Sequence, residues 1–189
     1  MRETYSSAAL ALRDALRHAV ERSAASSFGT LHRRVPPESA LTGLDGTAQA
    51  ARIRRQLERL TPLSCALLVV AHAPRTLKCS CGARCCSGGY PNPEWEQAMH
   101  GVLVHVTPLL ARRAANRKLH RAIIANALTR TKETTVSLAQ RCGVHPHTVA
   151  THIHIIEGEL IGTRQTAGRF DHASESIDAL LREAGVVAD

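Results

Sequence analysis

Aromatic residues are scarce in this sequence: Phe, Tyr and Trp together make up 3% of 189 residues, with a single Trp. Strands favour aromatic and β-branched side chains, so the shortage argues against a β-rich fold, and the frequent Ala, Leu, Val and Arg suit packed helices. Long apolar runs are missing as well. The longest, Cys65 to Ala71, is seven residues, where a bilayer-spanning helix needs about 20. The stretch MRETYSSAALALRDALRHAVERS carries charges at both ends and through its middle, so it lacks a secretory apolar core. A cytoplasmic protein with reduced cysteines and no membrane association is the expectation. Catalytic signatures are also lacking. There is no phosphate-cradling glycine loop and no nucleophile elbow, and Asp14, Asp45, Asp171 and Asp178 are far apart in sequence. The chain reads as a binding protein, not an enzyme.

Acidic residues are nearly absent from one region. Between Ala111 and Arg141 stand eight bases (Arg112, Arg113, Arg117, Lys118, Arg121, Arg130, Lys132 and Arg141) and one acid, Glu133. The formal charge of +8 allows nucleic acid, an anionic membrane or an acidic protein as partner, and the total alone does not choose. Its concentration just ahead of one particular segment is more telling.

That segment, from Thr135, is TVSLAQRCGVHPHTVATHIHIIEGEL. Leu138, Ala139 and Cys142 share one side of a short helix. Gly143 can take the left-handed conformation that ends it, Val144 plugs the turn, and Pro146 fits the first turn of a second helix. Val149, Ile153, Ile156 and Leu160 then recur at helical spacing. The pattern predicts a helix-turn-helix, with NRKLHRAIIANAL supplying the extra helix of its core. On that geometry His145, His147, Ala150, Thr151 and His154 face base edges in the major groove of double-stranded DNA, and Thr135, Arg141 and Thr148 stand where phosphate contacts are made. His152 is expected half-buried beside Ile156. No Arg or Lys occurs from His145 to Gly162, so the bidentate arginine–guanine contact is missing there, and affinity must come chiefly from flanking cations.

The rest reads as an all-α protein: a helical body with a Cys-rich metal-binding loop and a C-terminal helix-turn-helix. An N-terminal helix of about Ser7 to Ser23 lies in residues 1–25. A Ser/Gly/Pro-rich linker covers 26–46. A helical domain spans 47–116 with a zinc loop at 78–91, and the DNA-binding domain takes 117–189. Thr61-Pro62, Asn92-Pro93 and Thr107-Pro108 each look like a cap followed by proline at a helix start, although VLVHV after Met99 also suits a short strand. SESIDALLREAGVV closes the chain as a short helix with Ile177, Leu180, Leu181 and Ala184 on one stripe.

Four of the six cysteines fall within eight positions: Cys79, Cys81, Cys85 and Cys86, spaced C-x-C-x3-C-C. Thiolates are the preferred ligands of structural zinc, and a cluster in a reducing compartment argues for a metal over disulfides. All four are candidate Zn2+ ligands. The adjacent Cys85 and Cys86 strain a simple tetrahedron, which leaves open three cysteines with His72 or His100, iron–sulfur ligation, or unligated thiols. Cys65 and Cys142 fall on apolar faces and read as core.

Leu138 to Leu160 resembles the helix-turn-helix of bacterial and phage regulators. Together with Cys79 to Cys86 and the following GGYPNPEW, the layout is similar to the small late-gene regulators of temperate phages, the Q-type antitermination proteins among them. That resemblance implies a protein that binds DNA near a late promoter and engages RNA polymerase with its sigma factor. It then obstructs the RNA exit channel so that terminators are read through. The sequence also leaves room for a conventional dimeric repressor or activator, for a metal-dependent nuclease or recombination factor, and for a protein-interaction module. Oligomeric state is not legible.

Overall fold

The structure is a computed structural model that describes residues 4–27, 43–78, 88–111, 115–131 and 133–188, with side chains of 19–27 and 43–44 left aside. The described residues are mostly helical. In chain order they form α1 (Ala8–Ser27), α2 (Gly43–Leu57), α3 (Pro62–His72), β1 (Thr76–Lys78), β2 (Gly89–Pro91), α4 (Pro93–Val106), a 3-10 turn (Thr107–Leu110), α5 (Arg117–Thr129), α6 (Thr135–Cys142), α7 (Pro146–Leu160) and α8 (Arg169–Glu183). The expected linker at 26–46 falls mainly outside the described residues, and its described ends, 26–27 and 43–46, are helical. None of the described helices is long and apolar enough to cross a membrane.

The chain divides into two compact units. One comprises Met1–Leu60, His72–Glu96 and Ser176–Asp189; the other comprises Thr61–Ala71 and Gln97–Glu175. In the first unit α1 packs on α2. Ala11, Leu12, Ala15 and Leu16 supply the buried stripe of α1, and Ala50, Ile53 and Leu57 that of α2. Tyr5 and Val187 form a parallel bridge, with the Tyr5 amide donating to the Val186 carbonyl at 2.8 Å, so the C-terminal residues are held against the start of the chain.

Two short strands depart from the all-helical expectation. β1 and β2 pair antiparallel, with Thr76 opposite Pro91 and Lys78 opposite Gly89. Each is three residues long, too short to display the alternation by which strands announce themselves in sequence. Asn92 is buried and fixes the end of this hairpin. Its amide side chain donates to the Pro74 carbonyl at 2.8 Å, its backbone N–H donates to Arg75, and its Oδ1 accepts from the Glu94 amide at the start of α4. Trp95, also buried, lies under the Arg75 guanidinium at 5.3 Å.

The second unit is built on α5, α6 and α7, which contact one another, and the 3-10 turn, which contacts α7. Leu119, Ile123 and Ile124 of α5, Leu138 and Ala139 of α6, and Val149, Ile156 and Leu160 of α7 are buried. VLVHV is helical, part of α4. The proline at 108 starts only the 3-10 turn. α5 begins afresh at Arg117 with Asn116 as its cap, the Asn116 side chain accepting from the Leu119 amide at 2.9 Å.

Candidate nucleic-acid interface

α6 starts on Thr134 as its cap. The Thr134 hydroxyl accepts from the Ser137 amide at 3.2 Å, and Thr135 is the half-buried first helical residue. α6 stops at Gly143, which is left-handed at φ 67°, and the Val144 amide returns to the Ala139 carbonyl at 3.1 Å. This doubled C-terminal closure satisfies carbonyls that the end of a helix leaves orphaned, and glycine adopts it without a Cβ penalty. Ala139 is buried, its small side chain suiting a close crossing of α6 and α7.

α7 opens immediately. His145 is its cap: the imidazole Nδ1 accepts from the His147 amide at 3.2 Å, and Pro146 occupies the first helical position. His145 is thus engaged through Nδ1 in building the helix end, and it stays exposed. His147, Ala150 and His154 are exposed and Thr151 half-exposed, and at i, i+3, i+4 and i+7 they share one face. Thr151 returns its hydroxyl to the His147 carbonyl at 3.0 Å, and Thr148 is half-buried. The buried face carries Val149, His152, Ile156 and Leu160, while Ile153 is only half-buried.

His152 is the main difference on that face. It is 1% exposed, not half-buried, and its Nδ1 lies 3.2 Å from Nε2 of His120 on α5, which is also buried. The two rings are tilted by 52° with centroids 5.1 Å apart. Burial, then the neighbouring His152, pushes the His120 pKa below its ordinary value, which favours a neutral His120 inside the α5–α7 crossing. Sequence periodicity placed both 152 and 153 near the buried face; the partner ring on α5 decides between them.

Arg141 is committed as well. Its guanidinium donates to Glu133 through two bonds, Nε to Oε1 at 3.0 Å and Nη2 to Oε2 at 2.7 Å. Glu133 also accepts from the Ser137 hydroxyl at 3.1 Å and the Asn126 amide at 3.4 Å. Hydrogen bonds from Arg141 hold the Glu133 carboxyl below the usual range. The lone acid of the basic segment therefore ties the α5–α6 connection to α6 through Arg141, the exposed cation expected on phosphate. Its solitary place was visible in sequence, but its partner eight positions on was not.

Cys79, Cys81, Cys85 and Cys86 lie outside the described residues, as do Arg112, Arg113 and Lys132. The described flanks show that the cysteine stretch joins two strands paired with each other, β1 and β2, in place of the helix-to-helix loop expected. Cys142 is half-buried at the end of α6, and Cys65 is half-buried in α3. No protein family, curated protein or solved structure matches this chain.

Proposed function

We propose that this protein is a DNA-binding transcription regulator that docks α7 in the major groove of double-stranded DNA through a helix-turn-helix formed by α6 and α7. One observation carries the reading. α6 and α7 are joined by a tight turn on left-handed Gly143, and α7 buries one face while His147, Ala150, Thr151 and His154 share the other. This is the arrangement by which a second helix is held out from a small core and presented to base edges. Histidine and threonine on that face donate or accept single hydrogen bonds, so base discrimination is modest and phosphate contacts supply most of the affinity.

Within this class, the resemblance of the cysteine stretch and of Leu138 to Leu160 to Q-type proteins supports antitermination: loading onto RNA polymerase and its sigma factor near a late promoter, then read-through of terminators. The test is transcription by purified RNA polymerase from a late promoter of the source genome, through a terminator, with and without the protein. Read-through that requires promoter-proximal DNA is the expected result. A change in initiation with termination unaltered overturns antitermination in favour of a repressor or activator. Failure to shift any duplex at low salt overturns DNA binding itself.

Zinc at Cys79, Cys81, Cys85 and Cys86 belongs to the same proposal. Four thiolates form a donor set that zinc prefers, and the β1–β2 pairing brings together the two ends of the stretch that carries them. Purified protein is expected to carry about one zinc per chain and to show thiolate-to-cobalt charge-transfer bands on Co2+ exchange. The assignment fails if metal-free protein keeps the same far-UV and thermal profile and its clustered thiols react as fast as in denaturant.

A further inference from the structure

The second unit contains seven described Arg and Lys side chains, and most of them are already occupied. Arg117 donates to His100, Lys118 to the Arg141 carbonyl, Arg141 to Glu133 and Arg169 to Glu159, and Arg121 is engaged as well. Arg130 and Arg164 are the exceptions. Both are exposed, and neither side chain has a hydrogen-bond or ion-pair partner among the described residues.

These two share a second property: each rides on backbone held in an unusual shape. Arg130 ends α5 in the left-handed conformation, at φ 53° and ψ 31°, and is the non-glycine residue with positive φ among those described. Its amide and that of Thr131 both close on the Asn126 carbonyl. Glycine or asparagine is the usual occupant of such a position, and a long cation there runs against local preference. A residue kept in a strained conformation points towards a role for its side chain.

Arg164 sits on the tip of a turn closed by its own hydrogen bonds. Gly162 and Ala167 pair antiparallel, and the Thr163 amide donates to the Thr166 carbonyl at 2.8 Å. The two threonine hydroxyls lie 2.8 Å apart, and the Thr163 hydroxyl accepts from the amides of Gln165 and Thr166. A Cβ at Gly162 would stand 2.3 Å from the Thr166 carbonyl oxygen, and one at Gly168 would stand 2.2 Å from the Ile161 carbonyl carbon. The base of the turn is closed backbone against backbone, and residues 163 to 167 are all exposed beyond it.

We infer that Arg130 and Arg164 are the phosphate clamps of this protein, gripping the DNA backbone on either side of the groove that α7 enters. The inference rests on the DNA-binding reading above and names the cations that serve it. Arg130 precedes the α6 cap, Thr134, by four residues, and Arg164 follows Leu160, the last residue of α7, by four. They bracket the two-helix unit. Backbone that is already closed spares the loop-ordering part of the cost of binding.

The experiment is binding of the full-length protein to a fluorescein-labelled 20-base-pair duplex of arbitrary sequence, followed by anisotropy between 50 and 300 mM KCl. Arg130→Gly and Arg164→Gln are each expected to reduce the slope of log K against log salt by about 1, and the double variant by about 2. Arg169→Gln, whose cation is already held by Glu159, should leave the slope as in wild type. Thermal melting guards against misfolding: Arg130→Gly should melt no lower than wild type, since glycine relieves the positive φ. If wild type binds and both single variants keep its slope, the clamp assignment is overturned while DNA binding stands. A fall in one variant alone overturns the assignment of the other residue. If wild type binds no duplex at 50 mM KCl, the DNA-binding reading falls and the clamps with it.

Discussion

Gly168→Ala is expected to destabilise the protein by about 3 kcal/mol or more, a magnitude that point mutations reach through a few specific mechanisms. The new Cβ would lie 2.2 Å from the Ile161 carbonyl carbon, 2.5 Å from the Gly162 nitrogen and 2.5 Å from the Leu160 oxygen. All three are backbone atoms at the end of α7, so no side chain can rotate away. Relief requires the turn at 163–166 to open or α8 to move off its start at Arg169, and either breaks the Gly162–Ala167 pairing. Gly158 provides the contrast. It lies within α7 with nothing near its would-be Cβ, so Gly158→Ala removes a helix-destabilising residue and should raise stability by about 0.5–1 kcal/mol. Urea unfolding of both variants at pH 7.5 decides the matter. A Gly168→Ala midpoint within error of wild type would mean that the backbone approach at this turn is loose, which would also undercut a rigid mount for Arg164.

Such close approaches show what the sequence expressed and what it did not. The starts of α3 and α4 were legible because Thr61-Pro62 and Asn92-Pro93 carry their cap chemistry within two residues. The turn between α6 and α7 was legible for the same reason: Gly143 and Pro146 act through their own backbone preferences. Thr107-Pro108 marks the start of a stretch expected to be helical, with a break, to about Leu128; the structure forms it as a 3-10 turn and then α5, which takes Asn116 as its cap. Features that depend on a distant partner were hidden. His152 is buried because His120 stands 3.2 Å away, 32 positions earlier in the chain. Arg141 is held by Glu133, and the left-handed Arg130 contradicts local preference outright. Gly162 and Gly168 look like ordinary loop glycines until their backbones are seen in contact. The candidate interface was therefore visible as an outline of two helices and a turn. The allocation of its cations was not, because each pairing is a tertiary fact.

Acidification between pH 6.5 and 4 is expected to remove up to about 3 kcal/mol of stability through His72 alone. His72 is the last residue of α3, where a helix C-terminus favours the charged imidazole by about 0.3–1 kcal/mol. Burial opposes this and wins, with the Arg13 charge acting in the same sense, and together they push the pKa down to about 4. The sign follows from proton counting. Above about pH 6.5, the ordinary value in an unfolded chain, both states are neutral and stability is at its full value. As pH falls from there towards 4, the unfolded chain takes up a proton that the folded protein declines, and folding weakens. Below 4 both states are protonated and the loss is complete. A displacement from 6.5 to about 4 corresponds to about 3 kcal/mol at most, and the half-buried ring, which keeps some solvent contact, brings the expected loss nearer 2 kcal/mol. His120, depressed by burial and by His152, adds a loss of the same sign in the other unit. The measurement is urea unfolding from pH 8 to 4 for wild type, His72→Gln and Arg13→Ala. His72→Gln leaves every Asp, Glu, Lys and Arg in place, so its difference from wild type isolates the imidazole. His72→Gln should flatten the curve between pH 6.5 and 4.5, and Arg13→Ala should shift the loss to lower stability cost by letting the folded protein accept the proton earlier. Parallel curves for wild type and His72→Gln would show that the histidine titrates as it does in the unfolded chain, and burial at the end of α3 would then contribute nothing to acid sensitivity.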